Sequence, residues 1–296
     1  MRTTSLLSFI LLFFSCTAQT KQAKLITNKD GNSLLWEVSG MGLSKPSYIF
    51  GTFHLMCKSD IQFSTQLKNA LANADEMYME LDMDDPGMML GGLMMVNMKG
   101  GKKLKDLYTD AEYEKVKSFF KDSLQVPIDF MQSMKPYFLV AMMYPKMMPC
   151  KTVSGIEEEL MKLAKQQKKE IKGLETMEFQ ASVFDSIPYP EQAKELLKSI
   201  DSMKMYQKYF DTMLMVYKTQ QLDKMAGLFN NSEFGMEEHQ DILLDNRNKN
   251  WVGQLNNIMK KESVFVAVGA GHLAGENGLI ALLKKKGYKV RPLLNK

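Results

Sequence analysis

Two segments at opposite ends of the 296-residue chain share one pattern: an apolar run, a glycine, two residues and a histidine. In "SYIFGTFHLMCKSD" these are Gly51 and His54; in "SVFVAVGAGHLAGENGLIALLKKKGYKV" they are Gly269 and His272. A helical pattern follows each histidine, with Leu67, Leu71 and Ala74 on one face behind the capping residue Ser64, and Leu279, Leu282 and Leu283 on the other. Each helix leads to another strand pattern, "EMYMELD" or "YKVRPL". A strand–helix–strand unit returns its second strand parallel to its first. The expected fold is therefore α/β: a mostly parallel sheet built from two related strand–helix–strand halves. In such sheets ligands bind beyond the strand C-termini, which is where both histidines fall. The chain has 3 histidines, so this pairing takes two of them.

Between the halves lies a mainly helical middle, about residues 104–260, and residues 25–296 read as one domain. Thr109 and Glu112 form a capping box ahead of "AEYEKVKSFF". "DFMQSMKPYFLVAMMY" and "IEEELMKLAKQQKK" show helical spacing, and the second leads into a short strand, "EIKGLET". Two or three more helices are expected from Tyr189 to Asn231, and another over "EEHQDILLDNRNKNWVGQLNNIM". Near the start, "LLWEVSG" and "PSYIFGT" read as strands joined by a turn with Gly40, Gly42 and Pro46.

The first residues read differently. Arg2, the apolar stretch Leu6 to Phe14 and then "SCTAQTK" make residues 1–18 an expected export signal, too short to span a membrane. Cleavage before Cys16 would leave that cysteine for lipidation; cleavage after Ala18 would release a soluble protein. The expected location is periplasmic or outer-membrane lipoprotein, otherwise secreted, with membrane contact through the lipid anchor only. Export leaves Cys57 and Cys150 as an even pair in an oxidising compartment. A disulfide and two buried thiols both stand open, because sequence does not supply the Cα separation a bridge requires. A net charge of +4 with interspersed signs gives no nucleic-acid surface.

Two imidazoles at one sheet edge are natural ligands for Mn, Co or Zn. A hydrolytic site also wants a carboxylate. Glu80, ending the strand after the first histidine unit, is the candidate, with Asp82, Asp84 and Asp85 as substitutes; Asp84 and Asp85 read better as a solvated loop. His239 reads as surface. The chain has no His-Glu-x-x-His, Gly-x-Ser-x-Gly or phosphate-loop motif. Its 26 methionines, dense between Met77 and Met98, read first as core filling. A pliable lid over a peptide comes second, and a Cu(I) site third.

The paired "GTFH" and "GAGH", the strand "MYMELD", the middle "GLET" and the late "RNKNW" resemble the TraB/GumN family, which includes the Tiki proteins, described as metal-dependent proteases. The resemblance runs over nearly the whole chain beyond the signal. It implies a site of Gly51, His54, Glu80, Gly269 and His272, joined by Arg247, Asn248 and Glu175. His54, His272 and Glu80 would hold a divalent metal, or Glu80 would act as base. Arg247 would neutralise an intermediate or grip a peptide carboxylate, with a plain ion pair as its other reading. Asn248 would orient a carbonyl or a water. The implied function is metal-dependent hydrolysis of a peptide or protein. The fold also resembles haem-uptake lipoproteins and erythromycin esterases, so haem or pheromone-peptide binding without turnover is the rival class.

Overall fold

Among the described residues, short alternating and apolar runs form eight strands, six of them in one sheet. The computed structural model describes residues 31–87, 92, 96–229 and 237–296. The expected export signal with Cys16 lies outside them, as do Met88, Met89, Met94 and Met95. The strands are β1 Leu35–Ser39, β2 Ser47–Thr52, β3 Met56–Cys57, β4 Glu76–Leu81, β5 Val153–Ser154, β6 Ile171–Glu175, β7 Val264–Gly269 and β8 Lys289–Pro292. The large sheet runs β6-β4-β7-β2-β1-β8. β6, β4, β7 and β2 pair in parallel, and β1 is antiparallel to both its neighbours. The mostly parallel α/β expectation holds.

The two halves are interleaved rather than set side by side. β2 and β7, the strands carrying the Gly-x-x-His ends, are central neighbours, with Gly51 opposite Val268 and Thr52 opposite Gly269. The chain leaving β2 crosses β7 to reach β4, and the chain leaving β7 crosses β2 and β1 to reach β8. Parallel pairing of the two central strands brings both histidine loops to the same edge.

The helices are α1 Thr65–Asn73, α2 Asp110–Phe119, α3 Pro136–Ala141, α4 Tyr144–Met147, α5 Ile156–Gln166, α6 Met177–Asp185, α7 Tyr189–Asp201, α8 Met203–Lys218, α9 Leu222–Phe229, α10 Asn246–Ile258 and α11 Leu279–Lys285. Ser64 caps α1 by accepting from the Leu67 amide, and Thr109 with Glu112 forms the capping box of α2. The helical spacing across residues 129–144 is realised in pieces: a 3-10 turn at Ile128–Met131, then α3 opening on Pro136. Proline has no amide to continue a helix and is suited to its first turn. The run before α10 is likewise a 3-10 turn and then a π-helical turn at Asp241–Asp245.

The sheet core is aliphatic and aromatic, with Leu35, Val38, Met77, Val264, Phe265 and Val268 fully buried against Leu71, Trp251, Leu255 and Leu283. A second cluster, including Leu104, Val116, Phe120, Leu139 and Leu196, holds the middle helices together. That middle also contributes strands: β6 is an edge of the large sheet, and β5 pairs with β3 in a small one. Of the described methionines, Met77, Met79 and Met98 are core, while Met83, Met205 and Met215 are exposed. Cys57 and Cys150 are bridged, with Cα atoms 5.9 Å apart. Among the described residues, no helix is long and apolar enough to cross a membrane.

Candidate functional site

β4, β6 and β7 end at one edge of the sheet, and α10 packs beside them. Glu80 comes from β4, Glu175 ends β6, Gly269 ends β7, His272 follows in a 3-10 turn, and Arg247, Asn248 and Trp251 stand in the first turns of α10. All of them meet. Arg247 Nε lies 3.0 and 3.2 Å from the two Glu175 oxygens, and its Nη2 donates to Glu175 at 2.8 Å and to Glu80 at 2.6 Å. Its Nη1 donates to the Leu243 carbonyl at 2.9 Å and faces His272 Nε2 at 3.1 Å. These contacts engage every nitrogen of the guanidinium fork. Arg247 is therefore an organiser of the cluster, and the ion pair of its other reading is present with both Glu80 and Glu175.

The tautomer of His272 follows from its neighbours. Asn248 Nδ2 donates to the Asn277 carbonyl at 2.9 Å, which fixes the amide orientation and turns Oδ1 to His272 Nδ1 at 2.7 Å. Nδ1 must then carry the hydrogen, and Nε2 presents a lone pair to Arg247. Burial holds His272 neutral, with its pKa lowered to about 3 despite the Glu80 charge. Its ring packs 4.4 Å from that of Trp251, which lies under the Arg247 guanidinium. Asn248 is buried and spoken for on both sides, so it orients the imidazole rather than a substrate.

Burial works against the Glu80 charge, but Arg247, His54 and the Gly269 amide, which donates to Oε1 at 2.9 Å, counter it, and with His272 adding its pull where that ring is itself protonated the pKa is lowered to about 2. Every group facing Glu175 is a donor, Trp251 Nε1 included, so it sits as a carboxylate. Burial and the Glu80 charge push its pKa up against the pull of Arg247. Two carboxylates share one guanidinium, which leaves the cluster with a net negative charge beside a free-base imidazole.

His54 reaches the same place from the other side of Gly269. A Cβ built on Gly269 would lie 3.3 Å from Glu80 Oε1, 3.7 Å from His272 Cδ2 and 4.0 Å from His54 Nε2. Gly269 keeps that space bare. Its φ is −49°, so the glycine serves room, not a left-handed turn. Gly51 does not line the site: a Cβ there would press on Ala270 at 3.1 Å and on Leu273 at 3.2 Å. It lets β2 pack against the second histidine turn, which corrects its expected ligand-facing role.

The imidazole of His54 is open to water, with 77% of the side chain exposed, and its Nδ1 lies 2.8 Å from Glu157 Oε1. That pairing outweighs partial desolvation and raises its pKa to about 9. A cleft of about 390 Å³ opens here, lined by Thr52, His54, Met79, Glu80, Glu157 and Gln180 among others. Asp84 pairs with Lys165 and Asp85 accepts from the Gly87 amide, away from the metal candidates. His239 is not the free surface residue expected: its ring is mostly covered and pairs with Glu191 at 3.3 Å.

Glu157 and Gln180 escaped the sequence reading. "GIEEEL" looks like an acidic helix start complementing the dipole, and only the bridge between Cys57 and Cys150 hints that this segment lies beside His54. Gln180 donates to Glu80 at 3.3 Å from a helix with no chemical motif.

Among the described residues no three His, Cys, Asp or Glu side chains stand as a closed metal cluster. The donor chemistry still fits a divalent ion. Both imidazoles have Nδ1 close to an oxygen, the arrangement that directs Nε2 to a metal; His272 Nε2 lies 3.8 Å from Glu80 Oε1, and His54 lines the same cleft as Glu80. Ligation at His272 would displace one of Arg247's contacts and leave those to Glu175, Glu80 and Leu243. Comparison with curated proteins and with solved structures finds no match. The TraB/PrgY/gumN family profile matches residues 34–292, which takes in both histidine units, Glu80, Glu175 and α10; the chain belongs to the TraB/PrgY/gumN family.

Proposed function

We propose that the protein is an exported hydrolase of peptide bonds that depends on a divalent metal (Mn, Co or Zn) held by His54, His272 and Glu80. One observation carries this reading: an imidazole with Nδ1 bonded to Asn248, a second with Nδ1 2.8 Å from the Glu157 carboxylate, and the Glu80 carboxylate surround the bare face of Gly269 at the sheet edge. A divalent ion there would polarise a scissile carbonyl. A carboxylate held at about 2 is a weak base and a good ligand, so Glu80 takes the ligand role. Arg247 and Glu175 fix Glu80 and the lone pair of His272, and Asn248 fixes the tautomer. The cleft is lined by Met79, Leu81 and Met83 beside Glu80 and the Gln180 amide that bonds it, an apolar wall with polar groups at one place, which suits an extended peptide.

The test is hydrolysis of a peptide library by protein reconstituted with Mn, Co or Zn. Glu80→Gln should lose metal and turnover in equal measure. Metal-loaded protein that leaves every peptide intact, or that shows a Soret band on haem titration, would place it in the binding class instead.

A further inference from the structure

The carboxylate beside His54 has no part in the motifs described above, and its burial calls for a reason. Glu157, Glu158 and Glu159 open α5 together, yet they differ in setting. Glu158 and Glu159 turn outward to Lys162 and Ser154. Glu157 turns inward, with 11% of its side chain exposed, and its ion pair is with His54. A buried charge is disfavoured unless a partner holds it.

The surrounding backbone is built to keep these two side chains together. The Ile156 amide donates to the Phe53 carbonyl at 3.1 Å, and the Lys58 amide donates to the Thr152 carbonyl at 3.0 Å. Between those links β3 pairs with β5, Met56 opposite Ser154 and Cys57 opposite Val153. The Cys57–Cys150 bridge closes the same unit covalently. Gly155 is what permits the contact: a Cβ there would lie 2.7 Å from the His54 carbonyl oxygen and 3.1 Å from Glu157 Oε2. The start of α5 places its amide dipoles behind the carboxylate.

We propose that Glu157 is the positioning residue of His54: it takes the Nδ1 hydrogen, sets the ring orientation and so turns Nε2 toward Gly269. In this it matches Asn248 on the other imidazole, with a carboxylate in place of an amide. The proposal deepens the metal-hydrolase reading and rests on it for the identity of what Nε2 meets.

The experiment is a cobalt titration followed by visible absorption, on the full mature chain. Glu157→Gln keeps shape and removes charge; it should weaken Co(II) binding about 10- to 100-fold while circular dichroism stays as in wild type. Glu159→Gln should bind as wild type does. In ¹⁵N-histidine spectra of the metal-free protein, Glu157→Gln should shift the His54 ring signals and leave those of His272 in place, because its effect passes through that one ring. Wild-type affinity in Glu157→Gln, or His54 signals that do not move, overturns the proposal. If Glu157→Gln does not fold, Glu157→Asp withdraws the carboxylate by one methylene and must also weaken cobalt. If the wild type takes no cobalt, the metal reading falls and ¹⁵N-histidine spectra of the metal-free protein decide the positioning alone. There the His54 ring signals should shift in Glu157→Gln, and superimposable signals would refute it.

Discussion

The His54 and His272 sides of the cleft start from the same four-residue pattern and end in opposite chemical states. His272 is buried, neutral and stacked on Trp251, with its pKa lowered to about 3. His54 stands in the cleft, paired with a carboxylate, with its pKa raised to about 9. The motif sets only where a ring emerges from the sheet. The group meeting Nδ1, an amide in one case and a carboxylate in the other, together with water access, sets what the ring does. The supports differ too: His272 is held by α10 and a buried ion network, His54 by a small strand pair and a disulfide.

Removing each support tests that division. The Cys57–Cys150 bridge spans 93 residues, so opening it should lower stability by about 4–5 kcal/mol in the chain-entropy picture. Urea unfolding of the Cys57→Ser/Cys150→Ser protein measures this, and NMR should show His54 perturbed with His272 unchanged. Arg247→Met strikes the other side, leaving Glu80 and Glu175 buried without their common partner. About 3–5 kcal/mol should be lost in urea, with His54 signals unmoved.

Asn248→Asp makes the two sides alike by giving His272 a carboxylate. Its pKa should climb from about 3 in an NMR titration. The new oxygen would face the Asn277 carbonyl, so about 1–3 kcal/mol of stability should go with it.

The pH dependence of the wild type separates the two sides without a mutation, because the two histidines act with opposite sign. His54 has a folded pKa above its ordinary 6.5, so its contribution is complete below 6.5 and fades as pH rises through about 9. His272 has a folded pKa below 6.5, so the unfolded chain binds the extra proton and stability falls as pH drops from 6.5 toward 3. Glu80 adds its own loss only below 4.5, on the way to about 2. Glu157→Gln should return His54 toward 6.5 and flatten the alkaline limb alone, as read by urea midpoints across pH.

Much of the fold was legible because it depends on local periodicity. The strands at Leu35, Ser47, Glu76 and Val264, the Ser64 cap and the Thr109 box all appear where the apolar spacing and capping chemistry put them. Strand order was not legible, since nothing local says that β2 and β7 become neighbours. The cluster of Glu80, Glu175, Arg247, Asn248 and His272 was legible through the family motifs, but the saturation of Arg247 was not, because it arises from three strand and helix ends converging. Glu157 was hidden for the same reason: its role depends on Gly155 and on a bridge between residues 93 apart. The role expected of Gly51 misread a packing requirement as a ligand contact.

The measurement that bears most directly on the paired-histidine site is cobalt stoichiometry, by elemental analysis after dialysis, in wild type, His54→Ala and His272→Ala. One Co(II) per chain in the wild type, lost in either variant while both stay folded by circular dichroism, is the predicted result. A wild-type chain that retains no Co(II), Mn(II) or Zn(II) at micromolar concentration, or histidine variants that keep the full complement, would contradict it.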